Sequence, residues 1–105
     1  MEQATISGTL LTDVETCVDV KGRNYSRFTV TCGSKGVNGR TKYTHYQCTS
    51  YLSGYEKLKK GDQVFVTGNL SVTEYRDNSG TMKTRLNILV YQMSGGYRAE
   101  EKMNR

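Results

Sequence analysis

Gln63-Val64-Phe65-Val66-Thr67-Gly68-Asn69-Leu70-Ser71-Val72-Thr73-Glu74-Tyr75-Arg76-Asp77-Asn78-Ser79-Gly80 is the stretch of sequence on which the fold turns. Its first half sets Val64, Val66 and Gly68 against Phe65, Thr67 and Asn69, the two-residue period of a strand with one buried face. Asp77-Asn78-Ser79-Gly80 is a run of turn formers. Past it, Met82 to Gln92 resumes the alternation, with Leu86, Ile88 and Val90 on one side and Arg85, Asn87 and Leu89 on the other. Two alternating segments around such a turn predict one long antiparallel hairpin, with Tyr75 and Arg76 near its tip.

The same period extends upstream. Lys42 to Leu52 reads as a strand with Tyr43, His45, Gln47, Thr49 and Tyr51 on one face and Tyr46, Cys48, Ser50 and Leu52 on the other. In Tyr25 to Cys32, Phe28, Val30 and Cys32 point inward and Tyr25, Arg27, Thr29 and Thr31 outward. Gly33 to Arg40, with three glycines and two cations, reads as a flexible loop between them. Ala4 to Leu11 is a first strand, continuing past a bend at Thr12 and Asp13 as Val14 to Val20 until Lys21-Gly22 turns the chain. Ser53 as N-cap, Glu56 three residues on and Gly61 at the end predict one short helix over Gly54 to Lys59. The absence of Pro and the wealth of Thr, Val, Tyr and Gly favour strands elsewhere. The order is β-β-β-α-β-β. That predicts an all-β OB-fold, a five-stranded Greek-key barrel with one short helix between strands 3 and 4, over residues 1–94, with 95–105 a short flexible tail.

Composition narrows the function. A chain of 105 residues supports one domain. Fifteen Lys and Arg against ten Asp and Glu leave +5, which favours anionic partners. Basicity alone decides little, since it also serves solubility. No apolar run reaches membrane-spanning length, and the N-terminus lacks the pattern of a secretory signal, so the expectation is a cytoplasmic protein with no membrane partner. Cys17, Cys32 and Cys48 are odd in number and widely spaced, which fits reduced, strand-borne small hydrophobes better than disulfides or a metal knuckle. With one His and acids mostly in turns, no nucleophile–base pair or carboxylate cluster is in view. The expectation is therefore no enzyme, no metal, no cofactor and no small-molecule substrate.

Val20 to Gly96 resembles the bacterial single-stranded DNA-binding protein family, and the likeness extends back to Ile6-Ser7-Gly8-Thr9-Leu10. Lys60-Gly61-Asp62-Gln63-Val64-Phe65-Val66-Thr67-Gly68-Asn69-Leu70 and Tyr75-Arg76-Asp77-Asn78-Ser79-Gly80 are similar to that family's fourth strand and hairpin. Arg27-Phe28-Thr29-Val30 and Met93-Ser94-Gly95-Gly96 resemble it too. The resemblance implies binding of single-stranded DNA by stacking bases on aromatics. Tyr51 matches the third-strand stacking aromatic and Tyr75 the tryptophan that begins the hairpin loop. His45 falls where many relatives carry tryptophan, with Tyr43 beside it, and the loop around Gly36 replaces a stretch that often carries another. Family likeness also implies pairing through first strands into a homotetramer, a dimer being the smaller option. Relatives that recruit repair and replication enzymes carry a long tail with an acidic tip, which residues 95–105 do not resemble.

The residue types suit that role on their own account. A single strand offers phosphates and exposed base faces, so a reader without strong sequence preference needs cations beside flat rings. Arg27, Lys35, Arg40, Lys42, Arg76, Lys83 and Arg85 lie on outward or loop positions around Tyr43, His45, Tyr51 and Tyr75. Tyr also packs well in strands, so each ring has a bland reading as half-buried filling. An OB-fold replisome or primosomal adaptor, working through protein contacts, is the alternative; it would have no need of this interleaving.

Overall fold

Asp77 makes the turn of the hairpin at 63–92. Its carboxylate accepts the backbone N–H groups of Ser79 and Thr81 at 2.9 and 3.0 Å and the Ser79 hydroxyl at 2.7 Å. The structure is a computed structural model that describes residues 2–97. Its strands are β1 (Glu2–Leu10), β2 (Glu15–Val18), β3 (Asn24–Lys35), β4 (Thr41–Ser50), β5 (Gln63–Arg76) and β6 (Met82–Tyr97).

The sheet order is β1-β5-β6-β4-β3-β2, with a further pairing of β1 on β3. β1 lies along β5 from Glu2↔Leu70 to Thr9↔Gln63 and reaches β3 only through Thr9↔Thr31 and Leu10↔Val30. The ladders therefore return to β1, and β2 lies outside that ring on the edge of β3. All pairs are antiparallel except β4 with β6, which runs from Tyr46↔Leu86 to Ser50↔Val90. The inward faces meet in one core of Leu10, Phe28, Val30, Cys48, Val64, Val66, Ile88, Val90 and Met93. Each large apolar side chain removed from water there contributes about 1.5–3 kcal/mol. Because β4 and β6 run parallel, the loop at 36–40 and the turn at 77–80, which precede them, lie at the same end of the sheet. Two long hairpins project there, and the molecule is broad and thin, 49 × 47 × 26 Å.

Four expectations need correction. The helix at 54–59 is not formed, and the described residues contain none. Glu56 folds back on the N–H of Gly54, at 3.0 and 3.2 Å, and Gly54 has a φ of 96°, outside the helical region. Tyr55 donates its hydroxyl to the Met93 carbonyl at 2.6 Å. Six residues make too few turns to offset helix nucleation, so these tertiary contacts prevail. The loop at 33–40 is shorter and tighter than its glycines imply. β3 runs to Lys35 and β4 starts at Thr41, because pairing satisfies the backbone groups; the remaining five residues are closed by Gly36 N–H to the Arg40 carbonyl at 2.8 Å.

The first strand is two strands. Leu10 donates to the Asp62 carbonyl and Leu11 to that of Thr29, so the chain leaves β5 for β3 at this point. At the other end β6 continues to Tyr97, with Gly95 opposite Val64 and Tyr97 opposite Gln63. Residues 95–97 thus belong to the sheet, and 98–105 of the expected tail lie outside the described residues.

Candidate nucleic-acid interface

Register decides which side chains share the outer surface. Across β3 and β4, Arg27 faces Thr49, Thr29 faces Gln47, Thr31 faces His45 and Gly33 faces Tyr43. Gln47 is next to Asn87 on β6, and from there Arg85 is opposite Thr73 and Lys83 opposite Tyr75 on β5. Since alternate residues share a face, Arg27, Lys35, Tyr43, His45, Tyr75, Lys83 and Arg85 occupy one continuous outer surface. Lys42 and Arg76 alternate to the other side of their hairpins, and Arg40 sits in the loop at 36–40.

The four rings are held in different ways. Tyr43 is 63% exposed, and its Cε1 and Cδ1 lie 3.2 and 3.4 Å from where a Cβ on Gly33 would stand. The ring therefore rests on bare glycine backbone with its other face open. His45 shares a hydrogen bond of 2.8 Å between Nδ1 and the Thr31 hydroxyl, which fixes the imidazole beside β3. Tyr75 carries the Arg85 guanidinium 4.7 Å from its ring centre, a cation–π contact that covers one face.

Tyr51, just past β4, belongs to a tighter cluster. Its hydroxyl donates to Asp19 at 3.1 Å, Arg23 lies 5.0 Å over its ring and Tyr25 stands 5.5 Å away at 41°. Arg23 in turn pairs with Asp19 at 3.0 Å. The Arg23 backbone N–H and guanidinium hold the Asp19 carboxyl below its ordinary value despite some loss of water. That desolvation, together with the neighbouring carboxylate, pushes the Tyr51 hydroxyl up. Tyr51 is thus both exposed and tethered.

Between the two hairpins the outer face sinks into an open cleft of about 420 Å³, bounded by Asp13 and Glu15 on one side and Arg85 and Asn87 on the other, with Arg27 and Gln47 in its floor. Among the described residues the ion pairs are Asp19 with Arg23 and Asp77 with Lys83, the latter at 3.4 Å. Arg27, Lys35, Arg40, Lys42 and Arg85 have no carboxylate partner there, so their charge is available to an anion. Among the described residues no three His, Cys, Asp or Glu side chains gather as a metal would need.

Residues 1–95 match the profile of the single-strand binding protein family. The chain belongs to that family. A solved relative in fold is the Plasmodium falciparum SSB in complex with ssDNA, at a TM-score of 0.66 and 15% identity over 90% of this chain and 92% of that one. At that identity the likeness is one of fold, and it agrees with the strand order in making this an all-β domain of the OB type. No curated protein matches the chain.

Family membership bears on which positions matter. Tyr75 and Tyr51, the two rings that the sequence resemblance singles out, lie at opposite ends of the outer surface, with Tyr43 and His45 on the β3–β4 arm. Sequence reasoning passed over Arg23 and Asp19, which hold Tyr51, and Gln47 and Asn87, which line the cleft. Lys21-Gly22 was legible as a turn between strands, and a turn there brings Asp19 and Arg23 together; Asp19 accepts the N–H groups of both Lys21 and Arg23 at 2.9 Å. Nothing local marks Gln47 or Asn87, which meet only through the parallel pairing of β4 and β6.

Proposed function

We propose that this protein binds single-stranded DNA without strong sequence preference, in DNA replication, recombination or repair in the cytoplasm, and that no catalytic step is involved. The observation that carries the reading is the outer row from Tyr43 on its glycine bed to Tyr75 under Arg85, on a surface shared with Arg27 and Lys35, which have no carboxylate partner among the described residues, in a chain of the single-strand binding protein family. Bases stack on Tyr43, His45, Tyr75 and the free part of Tyr51. Arg27, Lys35 and Arg85 meet phosphates on the same surface, while Arg40, Lys42, Arg76 and Lys83 serve the strand as it passes the two hairpin tips. Each base–aromatic stack contributes about 1–3 kcal/mol, more than an exposed phosphate contact, so the rings set affinity and the cations its dependence on salt. The ring of ladders is read as the five-stranded OB barrel, a rigid frame for this surface.

The binding unit is an assembly of identical chains, a homotetramer with a dimer as its smaller form. Supporting this, the outer edge of β1 from Glu2 to Gly8 has no partner strand among the described residues, and Phe65 beside it is 54% exposed. An open strand edge with an apolar flank is protected by pairing with another copy.

The test is a titration of labelled oligo-dT with Tyr43→Ala and Tyr75→Ala. Each loses about 1–3 kcal/mol of binding free energy while the melting temperature holds, since both rings are exposed. Normal affinity in both variants would refute the platform.

A further inference from the structure

The cleft on the outer face is chemically lopsided. In sheet order its residues run from Asp13, just before β2, and Glu15 on β2, through Arg27 on β3 and Gln47 on β4 to Arg85 and Asn87 on β6. Three strand spacings separate the two walls, about 14 Å, which is room for one nucleotide lying across the strands. One wall is anionic and the other bears a cation.

The polar groups inside are only partly used. Asp13 accepts the Lys60 N–H through Oδ1 at 2.8 Å, which leaves Oδ2. The Glu15 side chain forms no hydrogen bond or ion pair among the described residues, although Arg27 stands directly opposite it across β2 and β3. Gln47 accepts the Thr29 hydroxyl at 3.2 Å through Oε1, so its NH2 group is without a partner there. Asn87 donates to Thr73 at 3.1 Å, which leaves its Oδ1 as an acceptor.

These observations carry a choice of base, and the inference rests on the single-strand reading above. We propose that the cleft is a base-reading site that favours bases with an exocyclic amine, cytosine above thymine, at one position of the bound strand. A phosphate cannot lie against Asp13 and Glu15 without repulsion, so the backbone passes along the Arg85 wall and the base edge faces the carboxylates. Cytosine presents its N4 amine there as a donor, and carboxylates accept from that group in known base recognition. The Gln47 NH2 donates to the ring nitrogen or carbonyl oxygen of the same base. Thymine offers its one ring N–H flanked by two carbonyl oxygens, which the carboxylates repel. The rings on the hairpins stay indifferent to base identity, and this site supplies a bias on top of them.

The experiment compares oligo-dC, oligo-dT and a duplex of equal length, at neutral pH, on the full chain, on Asp13→Asn/Glu15→Gln and on Tyr43→Ala. Asn at 13 keeps an oxygen for Lys60. The native protein is expected to bind oligo-dC more tightly, and the double variant to lose about five-fold or more of that ratio while its affinity for oligo-dT holds or rises with the removal of two negative charges. Tyr43→Ala weakens both oligonucleotides and leaves their ratio. An unchanged ratio in the double variant, or no preference for oligo-dC in the native protein, overturns the base-reading site even if both strands bind well. Failure of either strand to bind better than duplex overturns the single-strand reading itself, so the two failures are distinguishable.

Discussion

At residue 33 a glycine stands where strand chemistry favours almost anything else, since glycine inside a strand weakens it by about 0.5–1 kcal/mol. The bed it makes for Tyr43 accounts for it: an added Cβ would come within 3.2 Å of the ring. Gly33→Val is therefore predicted to hold or raise the melting temperature and to weaken oligo-dT binding by an amount comparable to Tyr43→Ala, because the ring is lifted off the face on which the strand lies. Calorimetry and anisotropy on the same preparation check this. Full affinity in the valine variant would show that the flat ring over Gly33 is packing and nothing more. This residue-scale device was half legible. Tyr43 stood out as an outward ring, but its pairing with Gly33 rests on the register of β3 and β4, which the glycine-rich run at 33–40 obscured by reading as loop.

The β5–β6 hairpin shows what local sequence specifies well. Val64 and Val66 against Leu86, Ile88 and Val90 alternate as their burial requires, and Asp77 supplies the turn from its own side chain. The Ser79 hydroxyl and the Thr81 N–H hold the Asp77 carboxyl below the ordinary value of 3.8. A carboxyl with a lowered native pKa contributes stability that is full above 3.8 and is lost as pH falls through the lowered value. The amide resonances of Ser79 and Thr81 are predicted to titrate together with a midpoint below 3.8. A midpoint at or above 3.8 would mean the turn is held by other means. The segment at 53–62 is the opposite case. Ser53, Glu56 and Gly61 spell a capped helix locally, yet Tyr55 answers to Met93, a contact across 38 residues that no window of sequence contains. Tyr51 likewise meets Asp19 across 32 residues.

Over the whole molecule, the alternation within the long strands followed from the sequence, whereas the sheet order and the cleft that crosses four neighbouring strands became visible only once they were placed side by side. The open edge of β1 leads to a prediction about assembly. Light scattering is predicted to give a homotetramer, with Phe65→Glu shifting the population to smaller species of unchanged strand content. A native monomer at micromolar concentration would contradict the proposed assembly. The central claim is that the outer face reads unstacked bases as well as phosphates, and a titration of oligo-dT against duplex of equal length at two salt concentrations tests it most directly. The account predicts that the single strand binds far more tightly at both, with log affinity falling against log salt by about 0.7 for each phosphate neutralised. Equal affinity for strand and duplex would contradict it.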